Sequence, residues 1–126
     1  MKKTRSIFLY PFSILFGIIT GFRNFLYKSE ILKSIEFGLP VICIGNITVG
    51  GTGKTPHTEY LAGLLSSEFK VAVLSRGYKR ISKGFLVADT NSSHTDVGDE
   101  PLQISRKHND IIVAVDNNRV NGVNEI

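Results

Sequence analysis

A single cysteine, Cys43, stands among 126 residues, so neither a disulfide framework nor a cysteine-built zinc site can form within this chain. Cys43 falls in an apolar, strand-like run and reads as packing. A strong charge of one sign is also missing: 15 Lys and Arg against 11 Asp and Glu leave a net +4. That small surplus suits an anionic surface or substrate without singling out nucleic acid. No basic stretch is interleaved with aromatics in the manner of single-strand binders, so nucleic acid is not an expected partner. Internal repeats and low-complexity tracts are absent too. With 42% hydrophobic and 21% charged residues the composition is that of a globular domain and excludes disorder. The length allows one domain with a modest core.

What is present begins with an almost unbroken apolar run over residues 7–22, interrupted only by Pro11, Ser13, Gly17, Thr20 and Gly21. Sixteen helical residues rise roughly 24 Å, short of the hydrocarbon core of about 30 Å. Basic residues flank both sides, Lys2, Lys3 and Arg5 before and Arg23, Lys28 and Lys33 after, without the asymmetry common beside a span. A helix lying among anionic headgroups is the favoured reading of segment 1–38. A signal peptide and a core helix compete with it. The signal reading lacks a small-x-small cleavage site.

Residues 39–126 read as one α/β domain. Short β-branched runs at 41–44, 71–74, 85–88 and 111–115 are expected strands. Residues 54–68 carry Tyr60, Leu61, Leu64 and Leu65 as a helical stripe, and residues 100–108 read as a short helix. Residues 89–98 are polar and read as a loop. Alternating strands and helices predict a mostly parallel sheet flanked by helices.

The chemistry centres on Gly45-Asn46-Ile47-Thr48-Val49-Gly50-Gly51-Thr52-Gly53-Lys54-Thr55-Pro56. A phosphate-binding loop needs glycines so that successive backbone N–H groups can face an anion. It needs Lys for the β and γ phosphates, and Ser or Thr for Mg²⁺. A strand must precede it and a helix N-terminus must follow. Lys54 fits the phosphate lysine, Thr55 the metal hydroxyl, and Pro56 a first helical turn. Thr48 stands where the usual pattern has glycine, and Gly50 and Gly51 can supply the turn instead. These features predict a P-loop NTPase-like domain using ATP and Mg²⁺.

Ser75-Arg76-Gly77-Tyr78 follows the second expected strand, at the sheet edge where open α/β folds bind ligands. Arg76 can bond phosphate and Tyr78 can cover a sugar or acyl surface, although taken alone a surface Arg and a turn Tyr are the favoured reading. Asp99, in Gly98-Asp99-Glu100-Pro101, can cap a helix or accept a proton from a substrate hydroxyl. Asp116 ends an apolar strand, as a metal-binding carboxylate or a turn residue would. His57, His94 and His108 lack ligand spacing and read as solvated.

The chain resembles the tetraacyldisaccharide 4'-kinase family of Gram-negative lipid A synthesis. The likeness rests on the loop at 45–56, on V-A-V-L-S-R-G-Y ending at Tyr78, and on V-G-D-E-P around Asp99, with the apolar N-terminus matching a membrane-associated start. It implies transfer of the ATP γ-phosphate to the 4'-hydroxyl of a tetraacyldisaccharide 1-phosphate at the cytoplasmic face of the inner membrane. It implies that Thr48, Val49, Gly50, Gly51, Thr52, Gly53, Lys54 and Thr55 bind ATP. It makes Asp99 the carboxylate that activates the sugar hydroxyl. Asn46, Arg76, Tyr78 and Arg119 become headgroup contacts, and the likeness weakens a metal role for Asp116. The family's Asp-Asp-Gly-Phe-Gln segment, its second domain and a catalytic histidine are not among these residues, so a truncated kinase domain is expected. A regulatory P-loop ATPase and an inactive nucleotide-binding fragment are the alternative functions.

Overall fold

The computed structural model describes residues 3–46 and 51–126, with side chains of the first helix described from residue 9 onward. Two compact units divide at residue 40, Met1–Pro40 and Val41–Ile126.

In the first unit, α1 (Lys3–Lys28) runs 26 residues, about 39 Å of helix. The apolar run is therefore only part of it. The helix continues through Arg23 and Asn24 because Phe25, Leu26 and Tyr27 carry it to a basic last turn at Lys28, which suits the negative helix end. Within it, Leu9–Lys28 (20 residues, mean hydropathy 1.3) is long and apolar enough to cross a membrane. The shortness expected from the sequence does not hold. Ile14, Leu15, Phe16, Ile18 and Ile19 are all at least half exposed, so apolar groups surround the helix instead of forming one stripe.

The second unit builds, in order, α2 (Lys54–Ser66), β1 (Ala72–Ser75), β2 (Leu86–Val87), α3 (His94–Val97), α4 (Asp99–Lys107), β3 (Ile112–Val115) and α5 (Arg119–Glu125). The sheet is mixed, in the order β1-β3-β2. β1 and β3 pair in parallel from Ala72 opposite Ile112 to Ser75 opposite Val115, whereas β2 runs antiparallel to β3. The expectation of a mostly parallel sheet is corrected here. Ten residues join β1 to β2 without a crossover helix, so the chain turns back. β3 is central and buried on both faces: Val113, Ala114 and Val115 are at most 1% exposed, which accounts for its continuous apolar sequence.

Other expectations fail as well. Residues 41–46 form no strand, and Val41 and Ile42 are 58% and 63% exposed. A β-branched run becomes a strand only with a ladder partner, and the outer edge of β1 carries none among the described residues. Cys43 is accordingly exposed rather than packed. On α2 the expected stripe divides, with Tyr60 and Leu64 exposed and Leu61 and Leu65 half-buried, and the buried residues are Glu59 and Ala62. Ala62 packs with Ile104, Ile111 and Val113, while Val97, Leu102 and Val115 form the second apolar cluster. The polar stretch at 89–98 holds α3, started by a reciprocal capping box between Ser93 and Asp96.

Candidate active site

The phosphate-loop residues divide. Thr48, Val49 and Gly50 lie outside the described residues. Gly51 and Thr52 are exposed, and Gly53 is the N-cap of α2 with φ 76°. The left-handed backbone there favours glycine. The ring nitrogen Nδ1 of His57 lies 2.6 Å from the Gly53 carbonyl, and a Cβ on Gly53 would sit 3.3 Å from that ring. Lys54 and Thr55 then open α2, with Lys54 exposed and Thr55 half-buried. The first-turn N–H groups of a helix have no intrahelical acceptor, so this end attracts an anion and places a cation beside it. Asn46 is exposed, at the end of the segment 41–46 that forms no strand.

At the carboxyl edge of the sheet, Ser75 and Val115 end side by side, and the Asp116 amide donates to the Ser75 carbonyl at 3.0 Å. Arg76, Gly77 and Tyr78 leave from β1. Gly77 has φ 71°, and a Cβ there would lie 2.3 Å from Arg80 Cδ. Gly98, the N-cap of α4, comes up against this turn, since its own Cβ would stand 3.0 Å from the Tyr78 carbonyl oxygen. Two motifs twenty residues apart in sequence thus meet backbone to backbone, and Asp99 begins α4 next to the Arg76–Tyr78 turn.

The capping role for Asp99 is not what forms. Gly98 occupies the cap position without a side-chain bond, and Asp99 is exposed in the first turn. There its charge suits the positive helix end. Asp99, Leu102, Gln103, Arg106 and Lys107 line a shallow recess of about 420 Å³. Arg76 and Tyr78 are exposed, Tyr78 by 77%, with the Lys79 ammonium 5.4 Å from its ring centre.

Asp116 is buried, with each carboxylate oxygen hydrogen-bonded. One carboxylate oxygen accepts the Asn118 amide at 2.8 Å and the other accepts Asn121 Nδ2 at 2.8 Å. The Asn121 bond, then the Asn118 bond, hold its carboxyl below the usual range. These bonds tie β3 to α5, so Asp116 has the role of a turn and helix-start residue. Arg119 is exposed and its Nη1 reaches the Asp116 carbonyl at 3.5 Å. Among the described residues, no group of three His, Cys, Asp or Glu could hold a metal ion. His57 and His94 are solvated as expected, but His108 is half-buried, with its Nε2 enclosed and unpaired.

Glu59 is a residue the sequence reading missed. It is 8% exposed on α2 and accepts Gln103 Nε2 at 2.6 Å and Lys107 Nζ at 2.5 Å, both from α4. The helix that starts with Lys54 is thereby fastened to the helix that starts with Asp99. No local pattern announces a pairing across more than forty residues, although Gln103 and Lys107 share one helical face. The Lys107 bond holds the Glu59 carboxyl below its ordinary 4.5, and burial opposes it. A carboxylate with a lowered folded pKa adds stability that is complete above the unfolded pKa and is lost as pH falls through the folded one. Urea titrations of wild type and Glu59→Gln should therefore differ at pH 7 and converge as pH falls below about 4.5. A gap that persists unchanged to low pH would contradict this.

A sequence model described as tetraacyldisaccharide-1-P 4'-kinase matches residues 5–126. Among curated proteins, the chain is 57% identical over its whole length to the tetraacyldisaccharide 4'-kinase of Flavobacterium johnsoniae, covering 37% of that protein. It is 54% identical over 94% of its length to the enzyme of that name from Parabacteroides distasonis, covering 32% of it. Among solved structures, a crystal structure of LpxK from Aquifex aeolicus in complex with ATP is similar, with a TM-score of 0.74 and 42% identity. That likeness covers 90% of this chain and 37% of the other. The chain spans about a third of the length of these relatives.

Proposed function

The chain belongs to the tetraacyldisaccharide-1-P 4'-kinase family, and from that premise we propose that it carries the phosphate-binding and proton-accepting parts of an ATP-dependent lipid kinase with a P-loop NTPase-like fold. The observation that supports this reading is the close approach of Gly98 to the Gly77–Tyr78 backbone, which brings the start of α4 against the turn that follows β1. A nucleotide-hydrolysing switch has no need of that meeting. A kinase for a phosphorylated sugar does, because a base, an anion-binding guanidinium and an aromatic cover must share one edge.

In this reading Thr48, Val49, Gly50, Gly51, Thr52 and Gly53 surround the ATP phosphates with backbone N–H groups, backed by the N-terminus of α2. Lys54 places its ammonium on the β and γ phosphates. The Thr55 hydroxyl would hold Mg²⁺, which would supply neutralisation of charge on the transferring group. Asp116, whose oxygens hold Asn118 and Asn121 at the start of α5, is read as structural and left out of that set. Asp99 accepts the proton of the sugar 4'-hydroxyl as that oxygen attacks the γ-phosphorus, and the bond from γ-phosphorus to the bridging oxygen breaks to leave ADP. Asn46, Arg76, Tyr78 and Arg119 contact the tetraacyldisaccharide 1-phosphate headgroup.

Such a substrate stays at a membrane, and α1 is the element suited to bring the protein there, on the cytoplasmic side where ATP is found. Deleting residues 1–22 should move the protein from the membrane to the soluble fraction on flotation. Equal membrane recovery would remove that role from α1. ATP consumption measured with and without the lipid acceptor in detergent micelles tests the function. The kinase reading expects consumption only with lipid, and the same rate without it would favour an ATPase.

A further inference from the structure

After Tyr78 the loop to β2 alternates between inward and outward residues. Arg80 and Ser82 turn inward. Arg80 Nη2 donates to the Gly84 carbonyl at 2.7 Å, and its Nη1 reaches the Val115 carbonyl at 3.4 Å. The Ser82 hydroxyl donates to the Asp96 carbonyl, and the Ile81 amide donates to the Thr95 carbonyl at 2.8 Å. Lys79, Ile81 and Lys83 turn outward, and Ile81 is 77% exposed. A slack loop would fold its isoleucine onto the protein. This one is bolted to the ends of β3 and α3, and it holds Lys79 in a left-handed backbone at φ 62°.

We infer that residues 79–83 are a second lipid contact, in which Ile81 enters the boundary between headgroups and acyl chains while Lys79 and Lys83 pair with anionic headgroups. One isoleucine between two cations offers far less than the roughly 800 Å² per partner of a stable protein interface. It does match the chemistry of an interfacial anchor, an apolar tip with ammonium groups at phosphate level. The loop leaves the sheet edge directly after Arg76 and Tyr78, so the inference rests on the reading that this edge receives a lipid-borne headgroup.

The test uses the full chain with Cys43→Ser and an environment-sensitive fluorophore attached at Ile81→Cys. A second preparation carries the dye at Asn91→Cys, an exposed position between β2 and α3. Both are mixed with phosphatidylcholine vesicles containing about one third phosphatidylglycerol, and binding is verified by flotation. The dye at 81 should shift to the blue and be quenched by brominated acyl chains, and the dye at 91 should do neither. Each lysine near an anionic surface is worth about fivefold in binding, so Lys79→Glu with Lys83→Glu should weaken affinity for these vesicles by about tenfold or more and leave neutral vesicles unaffected.

Aqueous emission from position 81 on the floated chain would overturn the inference, as would failure to float or undiminished affinity of the double variant. A shift produced by a soluble acidic protein but not by vesicles would assign the loop to a protein partner instead. Neither arm uses ATP, so this contact and the phosphate-transfer reading fail separately.

Discussion

Replacing Lys54 by alanine should lower γ-phosphate transfer by at least about a hundredfold while leaving the fold intact. Loss of one preorganised group facing transition-state charge costs on the order of 10²–10³ in rate. Lys54 is the cation at the N-terminus of α2, next to the Gly53 cap that aims the first backbone N–H groups outward. Its side chain is exposed and joins no salt bridge among the described residues, so removing it opens no cavity and strands no partner. Initial transfer rates with the urea midpoint alongside make the check. A lost rate with an unmoved midpoint is the expected pair. Unchanged turnover would take the phosphates away from this loop.

The second large effect belongs to Gly98→Ala. Gly98 has φ 91° and ψ 160°, backbone space that is essentially reserved for glycine and costs another residue about 1–3 kcal/mol. The added methyl would also press on the Tyr78 carbonyl oxygen at 3.0 Å and the Gly77 carbonyl carbon at 3.3 Å. Those are main-chain atoms and cannot rotate aside, so overpacking adds another ~1–3 kcal/mol. The sum is a loss of about 2–6 kcal/mol, read as a fall in the urea midpoint. Gly84→Ala supplies the comparison, because Gly84 has φ 75° with nothing within 4 Å of its Cβ and carries only the backbone part. If both variants lose the same amount, the two motif turns are not in tight contact.

Local pattern made most of the second unit legible. The β-branched runs at β1 and β3 and the polar-to-apolar rhythm of α4 each depend on a few neighbouring residues, and their ends moved by only one residue or so. What failed depended on distant partners. The run at 41–44 has the composition of a strand and lacks the neighbour that would make it one. β2 runs backward because of the length of one loop. α2 buries Glu59 because Gln103 and Lys107 of α4 are there to receive it, and a charged residue at a core position has no apolar signature. The same division holds at the site. The phosphate-loop proposal rests on glycine, Lys and Thr at a fixed spacing within one short segment, whereas the meeting of Gly77 with Gly98 and the turn-forming role of Asp116 appear only when the chain is folded.

We propose above all that one sheet edge serves a nucleotide phosphate and a lipid hydroxyl together. Labelled γ-phosphate transfer from ATP to tetraacyldisaccharide 1-phosphate in detergent micelles, with Lys54→Ala and Asp99→Asn in parallel, tests it most directly. The account predicts label on the 4'-oxygen with the wild-type chain and at most about a hundredth of that rate with either variant. Label appearing only as free phosphate, or lipid labelled equally by wild type and both variants, would contradict it.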